Sequence, residues 1–448
     1  MSAAELSPVS SSLSWAPLVS SSRITVILMS SMILKVAIPV VIFVPIYLLR
    51  VGCGKTSLLN ALAARMPNTS ASKTKLTGSI TINGQPRKDE EFRRISGYVL
   101  QDDKMYPHLT VFETMMLAAH FYLANDVKQE AKDTLVMNVI DEMGLIKAKD
   151  TVIGDEKVRG VSGGERRRAN IGAQLISDPA VLFLDEPTSG LDAFQANSVM
   201  ESMKSLALNG RLVISVIHQP RSSIYEMFDR LMLLSCGRVM FLGDVHDAYS
   251  FFADTGNACP RNYNPSDFFL DILSPDSRNP EVEKTADDRI CAIGDAWERK
   301  TEAEDHNYAL QNDTDIAALR SAGIQNNPER VYRNFRLLCW RSFAEQSREI
   351  PTIIIKLVVV SFFGLIIGGI YSNAGYDQSS ISNRTGLLFI IVLNQAFNGT
   401  ISVLNSFPKE KIIVNRERSN RAYDTLSYFI AKFIVELPLN LVPCVIFR

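Results

Sequence analysis

The sequence has no excess of charge of either sign, and this balance argues against a nucleic-acid partner. Lysine and arginine together number 47 against 48 aspartates and glutamates, so the formal net charge of the 448 residues is −1. A protein that binds nucleic acid normally carries a basic face, and no stretch of this chain supplies an obvious one. We therefore expect no nucleic acid among its partners.

Paired cysteines and internal repeats are also missing. The six cysteines lack the close pairs that zinc sites and dithiol redox sites use. Reduced thiols in a cytosolic environment are therefore expected. Apolar residues, in contrast, are abundant at 46%, and the mean hydropathy of +0.06 favours a chain that lies partly in a membrane. The cysteines are Cys53, Cys236, Cys259, Cys291, Cys339 and Cys444.

The most informative stretch covers residues 158–193. Its Ser162-Gly163-Gly164 turn precedes a helical pattern over 165–176, where backbone N–H groups at a helix N-terminus can bind an anion. An apolar run then ends on Asp185 and Glu186, as in a buried parallel strand with its chemistry at the C-terminal end. Asp185 suits Mg²⁺, and Glu186 can orient or deprotonate a water molecule.

A glycine-rich turn and an acidic strand end are each ordinary when they occur alone. The probability that the turn and the acidic strand end occur together at this spacing by chance is below about 5%, given that they are followed by Pro187-Thr188-Ser189-Gly190-Leu191-Asp192. The stretch resembles the signature motif, Walker B strand and D-loop of ATP-binding-cassette (ABC) ATPases. The resemblance implies an α/β P-loop ATPase domain that uses ATP and Mg²⁺. It also implies that Ser162, Gly163 and Gly164 close over the nucleotide of a second protomer and that Asp192 lies beside it.

Residues 52–57 resemble a phosphate-binding loop, and a helical pattern over 55–65 follows it as such a loop requires. Lys55 can reach the β- and γ-phosphates, and Thr56 can bind Mg²⁺. Leu49 replaces the glycine that should begin the turn, so we expect weaker ATP binding than in a variant with glycine there. No aromatic residue between Trp15 and Phe43 is placed to stack on adenine, as one does in ABC ATPases. The predicted nucleotide-binding residues here are Gly52, Cys53, Gly54, Lys55, Thr56 and Ser57.

Two polar residues follow predicted strands: Gln101 after residues 95–100 and His218 after residues 212–217. Either could be an ordinary structural residue. In register with the motifs above, Gln101 resembles the Q-loop glutamine and His218 resembles the switch histidine that contacts the γ-phosphate. The resemblance implies that Glu186 is the general base and that His218 orients the attack. It implies Thr56, Gln101 and Asp185 as the residues at the metal, with Gln101 also at the nucleotide.

Residues 1–50 are expected to differ from the ATPase domain, which is predicted to begin at residue 51. Residues 1–22 are rich in serine and alanine and are predicted to be disordered. Residues 24–49 are apolar enough for a transmembrane helix or a signal anchor. Against insertion, the adjacent phosphate-binding loop must stay in the cytosol.

The second half of the chain begins at Asn264-Pro265-Ser266-Asp267-Phe268, which resembles a sequence that follows the ATPase domain in the G subfamily of ABC transporters. The ATPase domain is predicted to end at residue 273. Charged residues 274–330 predict a mobile linker. Residues 331–348 combine an apolar stripe with flanking arginines, as expected of a helix at a membrane surface, although an amphipathic core helix is the alternative.

Residues 331–448 are predicted to form an interfacial helix and a partial α-helical transmembrane domain. Apolar runs at about 352–371, 386–407 and 426–447 are long enough to span a membrane. The loop over 408–423 is basic, so the positive-inside rule places it and the ATPase domain in the cytoplasm. A multi-pass membrane protein is therefore expected.

Polar side chains share one face of the second predicted span, where they are costly unless they meet a partner helix or a wet cavity. Hydrogen bonds between helices explain them equally well. Residues 394–397 resemble the part of G-subfamily half-transporters that lines the substrate cavity at the dimer axis. The resemblance implies that Asn394, Phe397 and Asn398 contact a substrate and that Glu417 belongs to a coupling helix.

Together the resemblance implies an ATP-hydrolysing half-transporter of the white and drug-resistance type. It would pair with a second protomer in the lipid membrane and export a small hydrophobic substrate. Two alternatives remain open. A soluble ABC ATPase would lack the spans after residue 351. A non-transporting fragment, which at most pairs with a full-length partner, fits a third span ending at 448, because the family uses six spans per protomer. On that count we expect this chain alone not to transport.

Overall fold

The computed structural model describes residues 25–28, 33–34, 43–48, 55–66, 75–78, 80–82, 85–261, 263–274, 280–305, 328–371, 378, 380–420 and 422–446. They belong to two compact units. The first consists of residues 1–103 and 163–323, and the second of residues 104–162 and 324–448.

The first unit contains the strands, and the helices are divided between the two units. The strands are β1 (Thr25–Leu28), β2 (Ile33–Leu34), β3 (Phe43–Leu48), β4 (Lys75–Gly78), β5 (Thr81–Ile82), β6 (Gln85–Pro86), β7 (Ser96–Val99), β8 (Val181–Asp185), β9 (Leu212–Ile217), β10 (Arg230–Ser235) and β11 (Arg238–Asp244). The helices are α1 (Lys55–Leu62), α2 (Asp89–Ile95), α3 (Val111–Tyr122), α4 (Gln129–Glu142), α5 (Gly163–Leu175), α6 (Ala193–Leu208), α7 (Ser222–Tyr225), α8 (Val245–Asp254), α9 (Pro265–Leu273), α10 (Pro280–Asp305), α11 (Pro328–Arg348), α12 (Ile350–Ile370), α13 (Ser380–Ser419) and α14 (Thr425–Ile446).

The main sheet of the first unit has six strands in the order β11-β10-β3-β9-β8-β7. All neighbours are parallel except β10 and β11, which form an antiparallel hairpin. The side chains of β8 and β9 are buried, which explains why both strands are unbroken apolar runs. Leu58 and Leu59 of α1 pack on the sheet in one cluster with Phe183. This confirms the predicted α/β ATPase fold.

Strand β3 lies before residue 51, where the ATPase domain was predicted to begin. It lies between β9 and β10, near the middle of the main sheet, so the ATPase domain includes residues 43–48. The described residues within 24–49 form strands β1, β2 and β3, and not the transmembrane helix that hydropathy allowed. Residues 1–22 lie outside the described part of the chain.

Helix α10 replaces much of the linker predicted over 274–330. It packs on β11, where Arg238 forms ion pairs with Asp295 at 2.7 Å and Glu298 at 2.9 Å. The rings of Phe241 and Trp297 lie 5.1 Å apart, centroid to centroid. The charged composition of residues 274–330 predicted a mobile segment. Residues 280–305 instead form a helix, and its apolar face and these ion pairs hold it against β11.

The second unit combines the helical middle of the chain with its C-terminal helices. Helix α3 begins with a capping box, in which Thr110 and Glu113 bond each other's backbone N–H groups. Phe121 of α3 shares an apolar cluster with Leu338 of α11 and Tyr423. One face of α11 is therefore buried, as in the core-helix alternative, whereas apolar Tyr332 and Phe343 are exposed.

The membrane helices agree only in part with the three predicted spans. Among the described residues, one segment, Ile353–Ile370 of α12, is long and apolar enough to cross a membrane, with a hydropathy of 2.6. The other two predicted spans fall within α13 and α14 and stay predictions. Helix α13 continues through Pro408 to residue 419, so this part of the predicted basic loop is helical.

A buried ionic cluster joins α11 to the end of α13 within the second unit. Arg341 is 2% exposed and donates two hydrogen bonds to Glu417, both of 2.9 Å. The hydroxyl of Tyr423 also donates to Glu417. The Arg341 guanidinium lies 4.4 Å from the ring centroid of Tyr106, which comes from the middle segment of the chain. Nearby, Arg348 and Glu113 form a two-point ion pair at 2.7 Å.

Glu345 of α11 lies beside this cluster and is predicted to make the stability of the second unit depend on pH. Burial, with nearby Glu349 and Glu410, raises its pKa from 4.5 to about 8, and its Oε2 has no hydrogen-bond partner. Between these two values the folded state holds a proton that the unfolded state has lost. Stability should therefore fall as pH rises from about 4.5 to about 8, by up to about 1.4 kcal/mol per pH unit.

The measurement is the thermal midpoint of the detergent-solubilised chain across this pH range. Glu345→Gln should flatten the decline, because a neutral amide has no proton to lose. Glu329→Gln, which alters an exposed glutamate in the first turn of the same helix, is the matched control. A Glu345→Gln profile as steep as that of the unaltered chain would contradict the prediction.

Candidate nucleotide site

The predicted site residues of the first unit meet at one edge of the main sheet. Parallel strands end at the same edge, and ligands of open α/β sheets bind there. Val99 pairs with Leu184 and Asp185 pairs with Val216, so Gln101, Glu186 and His218 follow neighbouring strand ends. Strand β3 ends at the same edge, since Tyr47 pairs with Ile217. In the strand order, β9 separates β3 from β8, whose end carries the two carboxylates.

Thr56 and Asp185, the predicted metal ligands, bring two side-chain oxygens together. The Thr56 hydroxyl donates to Oδ1 of Asp185 across 3.4 Å, slightly more than the ~2.9 Å that separates adjacent ligands of octahedral Mg²⁺. No group of three or more His, Cys, Asp or Glu side chains in the described residues could hold a metal. Mg²⁺ fits such a sparse site because it usually keeps waters and substrate phosphates as its other ligands.

The electrostatics of Asp185 also fit a cation. Burial raises the pKa of this carboxyl and the charge of Glu186 raises it further, while Thr56 and Lys55 lower it. Lys55 is itself buried. A bound divalent ion would be the largest local charge and would favour the ionised carboxylate. The residues present therefore suit Mg²⁺.

Glu186 is held in an unusual backbone conformation and by a direct side-chain contact. Its φ is +46°, in the left-handed region that is strained for a residue with a Cβ. Its N–H donates to Val216 at 2.9 Å, and its carbonyl accepts from Ser189 at 3.1 Å. The amide Nε2 of Gln101 donates to Oε2 of Glu186 at 2.7 Å. The predicted base and the predicted Q-loop residue are thus in contact.

Arg167 of α5 is a functional candidate that sequence reasoning missed. It is 3% exposed and donates to the backbone carbonyls of Leu100 at 3.1 Å and Gln101 at 2.9 Å. It also pairs with Asp103 at 3.0 Å, and burial lowers its pKa. These contacts hold the segment that presents Gln101. The helical pattern alone does not distinguish Arg167 from Arg166 and Arg168.

Arg167→Met should lower ATP turnover about tenfold while changing ATP affinity little. Loss of the guanidinium frees the backbone of Gln101, and a misplaced catalytic contact reduces rate more than binding. Phosphate release and calorimetric ATP titration separate the two effects. Arg168→Met, which removes one hydrogen bond to Ser198, is the matched control. An equal loss of affinity and rate would contradict this positioning role.

Gly164 of the predicted signature turn contacts helix α6, which follows the predicted D-loop, within the first unit. The N–H of Gly164 donates to Oε1 of Gln195 at 3.1 Å, and a Cβ on Gly164 would lie 3.1 Å from the Cβ of Gln195. Asp192 caps α6 by accepting from the N–H of Gln195 at 2.8 Å. The predicted anion donor at Gly164 therefore already has a partner, and Asp192 has a structural role as a cap. Ser162 and Gly163 are exposed.

Several predicted residues are outside this set of contacts. Gly52, Cys53 and Gly54 lie outside the described residues, as does Leu49. Ser57 is half-buried in the first turn of α1, and His218 is exposed after β9. In the second unit, Asn394 is half-buried and Phe397 is 63% exposed on α13, while the side chain of Asn398 is not described.

Family models match three segments of the chain. Residues 50–189 match the model described as ABC transporter, and residues 333–448 and 218–290 match two models described as ABC-2 type transporter. Among solved structures, cbiO1 of Clostridium perfringens superposes on 48% of this chain and 81% of its own, with a TM-score of 0.40 and 20% identity. That similarity is too low to support an argument by itself.

Curated relatives match most of the chain at 33–36% identity. ABC transporter G family member 7 of Arabidopsis thaliana is 34% identical over 393 residues, which are 87% of this chain and 54% of that protein. The broad substrate specificity transporter ABCG2 of Mus musculus is 36% identical over 415 residues, 88% of this chain and 62% of that protein. Protein white of Drosophila melanogaster is 34% identical over 404 residues, 88% and 57% respectively. The chain thus spans between half and two thirds of the length of these relatives.

Proposed function

We propose, from the premise that this chain belongs to the ABC transporter family and is similar to members of its G subfamily, that it binds and hydrolyses ATP as a subunit of a membrane exporter. The observation that carries the proposal is the pairing of Gln101 with Glu186 at 2.7 Å, beside the pairing of Thr56 with Asp185 at 3.4 Å. These contacts support the proposal because they bring the proposed base and the two oxygens of the proposed cation site to one sheet edge.

Each residue at this edge has a defined task in the proposed reaction. Lys55 would bind the β- and γ-phosphates, and Thr56 and Asp185 would hold Mg²⁺, which neutralises charge on the transferred phosphoryl group. Glu186 would take the proton of the attacking water, with Gln101 fixing its carboxylate. General-base catalysis of this kind contributes about 10²–10⁴-fold in rate. His218, at the end of β9, would orient the attack.

A second protomer is part of the proposal. Ser162 and Gly163 are exposed, as residues that contact a partner's nucleotide must be. Gly164 would exchange its bond to Gln195 for a phosphate oxygen when the two ATPase domains close. Each nucleotide site would then combine Glu186 and Asp192 of one chain with the Ser162–Gly164 turn of the other. Two chains would therefore be needed to complete either site.

Transport of a small hydrophobic substrate rests on the C-terminal helices. Large apolar side chains are exposed along α12, α13 and α14, as expected where lipid is the solvent. We propose a multi-pass arrangement with the ATPase domain in the cytoplasm. Asn394, Phe397 and Asn398 on α13 are the proposed substrate contacts, with Phe397 exposed and able to stack on an apolar ligand.

The test is phosphate release by the purified full chain in lipid nanodiscs, with and without Mg²⁺. Hydrolysis that requires Mg²⁺ and rises steeply with protomer concentration supports the proposed dimeric ATPase. No release above a Glu186→Gln background would favour the alternative, a non-transporting fragment. Extraction of the membrane fraction with alkaline carbonate distinguishes the third possibility, since a soluble ABC ATPase would be released.

A further inference from the structure

A cluster of four basic side chains lies between three helices of the second unit. His120 belongs to α3, Lys132 to α4, and Arg330 and Arg333 to α11. Lys132 is 4% exposed and Arg330 is 6% exposed. We refer to these four residues as the basic cluster. None of them has a task in the proposed ATP reaction, so their burial needs a separate explanation.

Arg333 is the least satisfied member of the basic cluster. Its Nε and both terminal guanidinium nitrogens are buried, and within the described residues none of the three has a hydrogen-bond partner. A guanidinium remains charged at any physiological pH. Burial of a charge without a partner is strongly unfavourable, and an arginine cannot avoid it by losing its proton as a lysine or a histidine can.

The neighbouring charges do not compensate for this burial. The pKa values of Lys132, His120 and Arg330 are all lowered. Burial is the largest cause in each case, and the positive charge of Arg333 lowers each pKa further. Two carboxylates face the basic cluster: Asp126 near Lys132 and Asp133 near His120. Asp133 accepts a hydrogen bond of 3.0 Å from Gln129, and neither carboxylate bonds to Arg333.

The local backbone adds to the positive potential. Lys132 lies in the first turn of α4, a 14-residue helix whose N-cap, Lys128, makes no side-chain capping bond. The N-terminus of a helix carries a partial positive charge, which favours an anion. Arg330 is oriented by a 3.2 Å hydrogen bond to the carbonyl of Phe121 at the end of α3. Two buried cations, Lys132 and Arg330, thus lie near Arg333, and one of them belongs to the N-terminal turn of a helix.

We propose that the basic cluster binds a phosphate group, either a free phosphate or the head group of an anionic lipid. The planar guanidinium of Arg333 can bind two phosphate oxygens at once, and the Lys132 ammonium supplies a compact charge beside it. A dianionic phosphate would satisfy the three buried nitrogens and screen the four basic groups from one another. This site is separate from the ATP site and does not depend on hydrolysis.

The experiment measures the thermal midpoint of the full chain in two arms. In detergent, inorganic phosphate is the probe. In nanodiscs, phosphatidylcholine alone is compared with phosphatidylcholine containing phosphatidylinositol bisphosphate. Saturation of the site should raise the midpoint by about 2–4 °C. A response to inorganic phosphate identifies a free-anion site, and a response only to the anionic lipid identifies a head-group site.

Four variants locate the response. Arg333→Met and Lys132→Met should abolish it, whereas Arg336→Met, which removes an exposed arginine of the same helix, should keep it. Lys55→Met should also keep it, because that variant impairs phosphate binding at the ATP site only. Without phosphate, Arg333→Met should be at least as stable as the unaltered chain, since it removes a buried charge without a partner.

Two results would overturn the proposal: no response to either probe, or an unchanged response in Arg333→Met. If Arg333→Met does not fold, Arg333→Lys replaces it. This variant keeps the charge but loses the two-point fork, so the phosphate concentration for half the response should rise about tenfold. An unchanged half-point in Arg333→Lys would equally count against the site.

Discussion

Glu186→Gln is expected to reduce steady-state ATP hydrolysis by about 10²–10⁴-fold and to leave ATP binding nearly unchanged. Glutamine has the same shape but cannot accept the proton of the attacking water. Its amide oxygen can still accept the 2.7 Å hydrogen bond from Gln101, so the geometry of the site should survive. Lys55, Thr56 and Asp185, which are proposed to bind phosphate and Mg²⁺, are not altered.

The measurement combines phosphate release with calorimetric titration of ATP on the same preparation. Glu201→Gln is the matched control, because Glu201 is an exposed glutamate on α6 whose side chain accepts a hydrogen bond from Asn197 of the same helix. It should hydrolyse ATP at the unaltered rate. Undiminished hydrolysis by Glu186→Gln would remove Glu186 from the role of base, and lost binding would mean that it acts mainly through structure.

Arg341→Met is expected to destabilise the second unit by about 3–5 kcal/mol, which is roughly 6–20 °C in the thermal midpoint. The side chain of Arg341 is 2% exposed and that of Glu417 is 15% exposed, so loss of the arginine leaves a buried carboxylate without its counter-ion. The hydrogen bond from Tyr423 is not enough to compensate. The cation–π contact with Tyr106 would be lost as well.

A double variant distinguishes the ion pair from simple packing. Arg341→Met combined with Glu417→Gln removes both charges and should recover part of the lost stability, because no uncompensated charge remains. Arg336→Met, at an exposed position of the same helix, should change the midpoint by less than about 2 °C. A double variant less stable than either single variant would contradict the ionic explanation.

The sequence alone determined those features that rest on local pattern. The unbroken apolar run of β8 with Asp185 at its end and the helix α5 that begins at the Ser162–Gly164 turn both depend on residues close together in the chain. Side-chain period and turn chemistry act over a few residues, so they can be read without knowledge of the fold. The ABC motifs are of the same kind.

Only the tertiary structure decided which distant residues meet. Strand β3 enters the main sheet between β9 and β10, although its apolar sequence was equally compatible with a membrane helix. Arg167 bonds the backbone at Gln101, and Arg341 bonds Glu417 across 76 residues. Sequence periodicity does not show which of the three arginines 166–168, or which arginine of α11, will have a buried partner. The physical reason is that residues distant in the sequence determine whether a charged side chain is buried and which group it pairs with. Hydropathy averages contain no information about those distant residues.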